Sequence, residues 1–244
     1  MTAPLVSCVL LTTHPKRAAF LPDALRSYRQ QTWPARELVV VNDGSPLAPR
    51  AADVRVVNLP PIGRPWTIGE KRNVGVRASR GVYLATWDDD DVSLPERLAS
   101  QVEYALRCDA DVVLADRMTV ADSDMNLVGA CHRGRQRPVQ ASALLARSAV
   151  VAAGGYPAVS YREDAELLER LRYVVRARIV TQPGCDYYVM RRHGANVTLA
   201  AGERDDAYFA CALGDVSGRL LQARVDAVRA GAGADDVAAE RTDE

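Results

Sequence analysis

The sequence predicts an α/β fold in which a mostly parallel central sheet is flanked by helices. Two observations support this prediction. Short apolar runs of strand length recur without polar alternation, as expected for strands that are buried on both faces. Between these runs, apolar residues recur at helical spacing, and strands that alternate with helices form parallel sheets. At 244 residues, the chain is long enough to bury the core of one large domain.

The first third of the chain carries the clearest alternation of strands and helices. An apolar strand at residues 6–12 precedes a helix marked by Leu21, Leu25 and Tyr28, which ends at Trp33-Pro34. Polar turn residues follow the second strand. The other elements predicted here are strands at 38–41, 54–58 and 82–87, a Pro/Gly-rich loop at 60–65, and a helix at 69–79 that is stopped by Gly81.

The second part of the chain opens with a helix that Ser93 and Glu96 are predicted to start as a capping box. Arg- and Gly-rich polar residues at 116–138 predict an irregular segment. The other predicted elements are strands at 112–114 and 187–190, an apolar segment at 141–153 that ends at Gly154-Gly155, and helices at 163–173, 204–213 and 216–229. We expect one domain at 1–230, with halves at 1–91 and 92–230, and a disordered tail at 231–244.

Four consecutive aspartates, Asp88 to Asp91, follow the strand at 82–87. A fold tolerates such like charges best where a divalent cation or dense hydrogen bonding offsets them. In an extended segment, Asp88 and Asp90 would face the same way. Two such carboxylates are hard oxygen ligands that suit Mg²⁺ or Mn²⁺ holding a substrate phosphate. A solvated acidic turn is the alternative, but α/β folds place their ligands at the carboxyl ends of strands.

Composition bears on partners and location. Lys plus Arg number 31 and Asp plus Glu number 31, so no net charge attracts nucleic acid or an acidic membrane. No apolar run reaches the ~18 residues of a membrane span, and we expect no signal peptide. The five cysteines are widely spaced without a C-x-x-C pair, which favours a reducing, cytoplasmic location over a disulfide framework or zinc site.

Five motifs occur in order between residues 6 and 198, and together they resemble the family 2 glycosyltransferases, which have the GT-A fold. That fold is a Rossmann-like sheet with a smaller acceptor-side region. Asn42 departs from the pattern, because many members have Asp there, and Thr13-His14-Pro15 departs from the usual end of the opening strand. The motifs are residues 6–12; residues 31–34 with 37–45; residues 69–75; the acids 88–91 with Pro95; and Gly154-Gly155-Tyr156 with Arg162-Glu163-Asp164.

The resemblance implies a metal-dependent, inverting glycosyltransferase. Such an enzyme moves a hexosyl or N-acetylhexosaminyl group from a nucleotide-diphosphate donor, here expected to be a UDP-sugar, to a hydroxyl acceptor. Neither the acceptor nor the oligomeric state follows from the sequence. The residues expected to bind the nucleotide are Thr12, Asn42, Asp43, Arg72 and Asp88.

Metal and catalytic roles follow from the same resemblance. Mn²⁺ or Mg²⁺ would be held by Asp88, Asp90 and His193, while Asp91 would contact the donor sugar. Asp164 would be the general base that deprotonates the acceptor, with Glu163 as its positioner or substitute. The first turn of a helix favours an ionised carboxylate, although simple charge complementarity at a helix start would also account for both acids. His193 could equally be structural.

Other functions remain possible at this stage. A sugar nucleotidyltransferase would share the sheet and the metal-binding acids, but it should carry a Gly-rich loop after the first strand, where residues 13–17 contain no Gly. A catalytically inactive nucleotide-sugar-binding module predicts lost acids, and none appears lost. A glycoside hydrolase would use two carboxylates without a nucleotide pocket.

Overall fold

The computed structural model describes residues 2–132, 139–194, 215–231 and 236–239. A π-helical turn at Leu171–Val175 directly follows the helix at Glu163–Arg170. The strands are β1 (Val6–Thr12), β2 (Arg36–Asn42), β3 (Leu47–Pro49), β4 (Val54–Asn58), β5 (Tyr83–Asp88), β6 (Val92–Ser93), β7 (Val112–Ala115), β8 (Arg117–Ala121), β9 (Leu127–His132), β10 (Val139–Ala146), β11 (Ile179–Gln182), β12 (Tyr188–Arg191) and β13 (Val237–Ala239). The helices are α1 (Leu21–Arg29), α2 (Ile68–Ala78), α3 (Arg97–Cys108), α4 (Arg147–Ala152), α5 (Glu163–Arg170) and α6 (Asp215–Ala230).

A seven-stranded sheet in the order β11-β7-β10-β5-β1-β2-β4 forms the centre of the fold. Only β10 runs antiparallel to its neighbours in this sheet. Side chains of β1 alternate between two apolar clusters: Cys8 and Leu10 pack with α1 and α3, whereas Val9 packs with α2, α4 and α5. The predicted α/β class and mostly parallel, helix-flanked sheet are confirmed.

A smaller four-stranded sheet, in the order β6-β12-β8-β9, packs against α6 through Val189, Leu221 and Val225. Its strands β8 and β9 fall within residues 116–138, so the prediction of an irregular segment there is wrong. β8 mixes Arg and Thr with apolar residues, and its strand form depends on pairing with β9 and β12 rather than on a local apolar run. Residues 133–138 lie outside the described part of the chain.

The predicted capping box at the start of α3 is also wrong. Glu96 is the N-cap of α3 but makes no side-chain capping bond, and the Ser93 hydroxyl instead accepts from Arg97 Nη1 at 2.8 Å. The capping box of this fold lies at the start of α2, where Thr67 and Glu70 satisfy each other's backbone N–H groups. The apolar segment at 141–153 divides between β10 and α4, because its first residues pair with β5 and β7.

Within the tail at 231–244, which was expected to be disordered, the structure describes an ordered segment at 236–239. Val237–Ala239 form β13, which pairs antiparallel with β3, and Asp236 Oδ2 accepts from Arg29 Nε at 2.6 Å. The predicted helix at 216–229 is confirmed by α6, whereas that at 204–213 lies outside the described residues. No helix in the described part of the chain combines the length and the apolar character needed to cross a membrane.

Candidate active site

The carboxyl ends of three neighbouring parallel strands form one polar edge of the central sheet. Thr12 at the end of β1 lies in register with Asn42 at the end of β2, and Leu11 lies in register with Asp88 at the end of β5. These are the positions at which a parallel sheet places ligands. The predicted site residues Thr12, Asn42 and Asp88 are therefore brought together. The Thr12 hydroxyl is buried and has no hydrogen-bond partner among the described residues.

Asn42 and Asp43, at the turn after β2, differ in their surroundings. Asn42 is fully buried, and its amide oxygen accepts from the backbone of His14 and Gly44, both at 3.1 Å. Its amide nitrogen donates to Ser45 O and Asn58 Oδ1. These bonds engage both side-chain groups of Asn42 in holding the turn, and its contact with a nucleotide stays a prediction. Asp43 follows it at the edge of the site.

The helix α2 presents two cations to this edge. Lys71 Nζ lies 3.2 Å from Asp43 Oδ1. Arg72 is buried, with Nε 3.2 Å from Glu163 Oε1 and Nη2 3.6 Å from Asp88 Oδ1. A single guanidinium thus joins the end of β5 to the start of α5.

The aspartate run bends immediately after β5. Asp88 is the last residue of the strand, and Asp89 and Asp90 form a turn. The expected same-facing alternation of Asp88 and Asp90 fails, because it requires an extended backbone that stops at Asp88. The two carboxylates still interact, and the charge of Asp90 contributes to raising the pKa of Asp88. The side chain of Asp88 is 25% exposed, whereas those of Asp89 and Asp90 are 5% and 11% exposed and Asp91 is buried. Asp88 is therefore the most exposed of the four aspartates.

Arg17, from the loop between β1 and α1, neutralises the middle of the run. Its Nε and Nη2 atoms donate to Asp89 Oδ1 at 3.0 and 2.8 Å, and Nη2 also contacts Asp90 Oδ2. His193 Nε2 lies 2.9 Å from the same Asp90 oxygen. The ring of Phe20 stacks on His193 at 4.4 Å and lies 5.4 Å below the Arg17 guanidinium. Phe20 therefore supports both partners of Asp90.

Asp91 faces the smaller sheet. The Tyr188 hydroxyl donates to Asp91 Oδ2 and lies 3.3 Å from Asp88 Oδ2, while Arg191 N donates to Asp91 Oδ1 at 2.8 Å. Both carboxylate oxygens of this buried residue are thus bound to β12. The arrangement makes Asp91 an anchor of the small sheet on the site, and contact with a donor sugar stays a prediction.

The four carboxyl groups differ in their electrostatics. Burial raises the pKa of Asp88 and Asp91, and the charges of neighbouring aspartates add to that rise. Burial also raises the pKa of Asp89 to about 6, despite the opposing hydrogen bond and charge of Arg17. At Asp90, burial is outweighed by His193 and Arg17, and the pKa lies below its usual value. The negative charge of the run is therefore held most firmly at Asp90.

The side chains at this edge that could act as metal ligands suit a hard divalent cation. The carboxylates of Asp88 and Asp90 and the imidazole of His193 are ligand types that Mn²⁺ accepts, and carboxylates suit Mg²⁺. Among the described residues, no three His, Cys, Asp or Glu side chains form a ready metal-binding group. The Arg17 guanidinium already contacts the Asp90 oxygen that His193 shares. The residue types fit a metal, and a cation bound at Asp90 Oδ2 would meet the Arg17 guanidinium there.

The predicted base lies at the start of α5. Asp164 is half-buried, and its Oδ1 accepts from Ala165 N at 2.7 Å. With its amide nitrogen turned to the site, Gln140 of β10 donates to Asp164 Oδ2 and Oδ1 at 3.1 and 3.2 Å. Glu163 is buried against Arg72, and burial raises the pKa of its carboxyl. Of the two acids, Asp164 is the one that no cation holds in the described structure.

A clasp fixes the loop before α5 to α2. Asn73 Nδ2 donates to Tyr156 O, and Tyr156 N donates to Asn73 Oδ1, both at 2.8 Å. Gly155 has φ 79°, and a Cβ there would lie 2.5 Å from Asn73 Oδ1. The positive φ favours glycine at this position, and a Cβ there would push the Asn73 side chain out of the clasp.

Sequence reasoning missed three site residues. Arg17 was considered only as part of a loop without glycine, Tyr188 as part of an apolar strand, and Gln140 not at all. The position of Arg17 after β1, at the edge where the other strand ends were expected to meet, was a usable indication. Tyr188 and Gln140 lie at the site because of the strand pairings β12–β6 and β10–β7, which no local sequence pattern predicts.

Comparison with known proteins agrees with this geometry. The family model described as Glycosyl transferase family 2 matches residues 8–141. Amylovoran biosynthesis glycosyltransferase AmsE of Erwinia amylovora is 32% identical over 101 residues, which cover 39% of this chain and 38% of that protein. An uncharacterized glycosyltransferase of Methanocaldococcus jannaschii, MJ1057, is 31% identical over 116 residues, covering 43% and 38%. The matches thus span well under half the length of either relative.

Solved structures show the same fold. The structure of S. aureus TarS in complex with UDP-GlcNAc superposes with a TM-score of 0.62 at 16% identity and covers 92% of this chain and 72% of that one. A second TarS structure gives a TM-score of 0.59 at 17% identity, covering 77% of this chain and 37% of that one. The fold is that of the GT-A glycosyltransferases. Because the family model matches more than half of its residues, this chain belongs to glycosyl transferase family 2.

Proposed function

We propose that this chain transfers a sugar from a UDP-sugar to a hydroxyl acceptor, with a divalent metal ion and with inversion at the anomeric carbon. The observation that carries the proposal is the position of Arg72, which contacts Asp88 at the sheet edge and Glu163 at the start of α5. One guanidinium therefore links the sheet edge proposed to bind the nucleotide with the start of α5, where the candidate base Asp164 lies. The complex of the structural neighbour TarS with UDP-GlcNAc supports a nucleotide-sugar donor.

On the donor side, the roles follow from exposure and charge. Asp43 can accept a hydrogen bond from uracil N3–H, and Lys71 and Thr13 hold its carboxylate in place. The unpartnered Thr12 hydroxyl lies at the end of the adjacent strand. Arg72 would donate to the departing diphosphate, and Asp88 would reach the ribose. A Mn²⁺ or Mg²⁺ ion held by Asp90 and His193, with Asp88 close by, would supply neutralisation of the charge that develops on the diphosphate.

On the acceptor side, Asp164 would take the proton of the attacking hydroxyl as the new glycosidic bond forms. The Gln140 amide would hold the Asp164 carboxylate in orientation. Glu163 is engaged with Arg72, so it positions the helix start rather than serving as base. A single displacement requires the nucleophile in line with the leaving group, and the product is then inverted.

Ligand-detected saturation-transfer NMR with UDP-, GDP- and dTDP-sugars in Mg²⁺ tests the proposal. We expect UDP-sugars to give the strongest transfer, and we expect EDTA and Asp90→Ala to weaken it. Asp124→Ala is the matched control, because Asp124 is an exposed aspartate in the turn between β8 and β9. Preference for another nucleotide would replace the UDP assignment. Turnover of UTP with a sugar 1-phosphate would instead identify a nucleotidyltransferase.

A further inference from the structure

Arg17 is the least expected component of the site, and its contacts give it two separate anchors. Nε and Nη2 both hold Asp89 Oδ1, at 3.0 and 2.8 Å, while only Nη2 contacts Asp90 Oδ2. The Phe20 ring adds a cation–π contact at 5.4 Å. Loss of the Asp90 contact would therefore leave Arg17 attached to Asp89 and Phe20.

Whereas Arg17 has several partners, a single oxygen of Asp90 is shared by two residues. Its Oδ2 atom is shared by Arg17 and by His193 Nε2, which lies 2.9 Å away. A divalent cation taking Asp90 and His193 as ligands would meet the guanidinium at the same oxygen. Two like charges at such short range repel strongly in a buried site. At this shared oxygen, metal binding is therefore favoured when the guanidinium withdraws.

We propose that Arg17 is a resident counter-cation that competes with the divalent metal for Asp90 and thereby sets the metal affinity of the site. This inference rests on the proposed function, because it takes Asp90 to be a metal ligand. Without metal, Arg17 neutralises Asp89 and Asp90 together and keeps the turn folded. When metal binds, Arg17 keeps Asp89 and releases Asp90. Arg17 is thus a positioning residue whose removal should tighten metal binding.

Mn²⁺ titration followed by electron paramagnetic resonance of the free ion tests this without any turnover assay. The measurements use the full chain without nucleotide, at one pH and one low salt concentration. We expect Arg17→Ala and Arg17→Gln to bind Mn²⁺ about 10-fold more tightly than the wild type. Arg17→Gln keeps a hydrogen-bond donor for Asp89 without the charge, so it serves if Arg17→Ala does not fold. The double variant Arg17→Gln/Asp90→Asn should lose the gain.

The matched control is Arg80→Ala. Arg80 also pairs with a buried carboxylate, Glu37 at 2.7 Å, but it precedes β5 and lies at the opposite end of the strand from the aspartates. Its removal takes away the same overall charge and should leave Mn²⁺ affinity unchanged. An equal gain in Arg80→Ala would reduce the effect to net charge and overturn the inference.

The remaining outcomes separate the inference from the proposed function. If the wild type binds Mn²⁺ through Asp90, as shown by loss in Asp90→Asn, and Arg17→Gln binds equally or more weakly, Arg17 is a brace and the inference fails while the metal assignment stands. If no variant binds Mn²⁺, the metal assignment fails and the inference with it. Tighter, Asp90-dependent binding in Arg17→Gln supports both.

Discussion

The two sides of the site differ in how much of their charge the protein itself neutralises. We call the sheet edge with Asp88 to Asp91 the donor edge, and the start of α5 with Asp164 the acceptor side. At the donor edge, all four aspartates have partners from elsewhere in the fold. These are Arg72 and Tyr188 at Asp88, Arg17 at Asp89, Arg17 and His193 at Asp90, and Tyr188 at Asp91. On the acceptor side, the described partners of Asp164 are the Ala165 amide and the Gln140 side chain, both uncharged.

This difference has a functional consequence. A carboxylate held by cations is a poor proton acceptor, because each cation favours its ionised form, whereas neutral donors orient a carboxylate at smaller cost to its basicity. Under the proposed mechanism, the donor edge is therefore organised to hold charge and the acceptor side to move a proton. Substitutions at the donor edge should disturb stability and binding, and those on the acceptor side should disturb turnover.

The largest expected effect is on the acceptor side. Asp164→Asn keeps the shape of the side chain and removes its basicity, so turnover should fall by roughly 100-fold or more. Donor affinity should be nearly unchanged, since Asp164 has no contact with the aspartate run. Glu166→Gln is the matched control, because Glu166 is an exposed acid on the same helix, paired with Arg170. The product anomer is read by NMR; retained configuration, or normal turnover of Asp164→Asn, would remove Asp164 from the role of base.

The next effect belongs to the boundary between the two sides. Arg72→Ala leaves the buried Glu163 and the partly exposed Asp88 without their cation, which should cost about 3 kcal/mol of unfolding free energy. Burial already raises the pKa of both carboxyls, so it is their ionisation that the fold resists. Without Arg72 those pKa values rise further. The loss should therefore be smaller at pH 5, where more of each group is protonated, and larger at pH 8.

Urea denaturation at the two pH values measures the effect of Arg72→Ala. Arg72→Lys retains a charge at the same position and should recover part of the stability at pH 8. An equal loss at both pH values would mean that the contact of the Arg72 guanidinium with the Tyr156 ring, rather than its pairing with the carboxylates, dominates its contribution.

A third effect lies wholly at the donor edge. Asp43→Ala should weaken UDP binding by roughly 1–3 kcal/mol, because a nucleobase donor would be left unpaired in the site. Isothermal calorimetry with UDP measures the change, and Asp124→Ala again serves as the control. Unchanged affinity would show that Asp43 acts only in the turn, where it already pairs with Lys71.

The sequence predicted the strand ends that form the donor edge better than the residues that neutralise its charges, and the reason is physical. Strands β1, β2 and β5 are continuous apolar runs, and the ends of parallel strands meet without further information. The strands of the small sheet, by contrast, are specified by pairing partners. Tyr188 and Asp91 are 97 residues apart in sequence and meet only because β12 pairs with β6.

Charge compensation was also beyond local reasoning. The four aspartates were correctly identified as a cluster that needs neutralising, yet the principal neutralising cation, Arg17, lies 72 residues before Asp89. Asn42 illustrates the same limit: it was expected to touch the nucleotide, and no local pattern indicated the four hydrogen bonds within the protein that engage its amide. The position of a residue at the end of a strand predicts that it lies near the site. Whether its side chain is available to a ligand depends on the contacts around it.

The smallest expected effect lies away from both sides, at the chain end that was expected to be disordered. Asp236 accepts from Arg29, which also binds Asp53 at 2.7 Å. Asp236→Asn leaves Arg29 with its second partner, so the unfolding free energy should fall by only about 0.5–1 kcal/mol. The pairing of β13 with β3 should loosen nonetheless, because three residues of strand hold it, and hydrogen exchange at Val237 and Ala239 should quicken. Asp226→Asn on α6 is the control. A loss above about 2 kcal/mol would make β13 a central part of the fold rather than an attached edge, while unchanged exchange would show that the backbone pairing alone holds it.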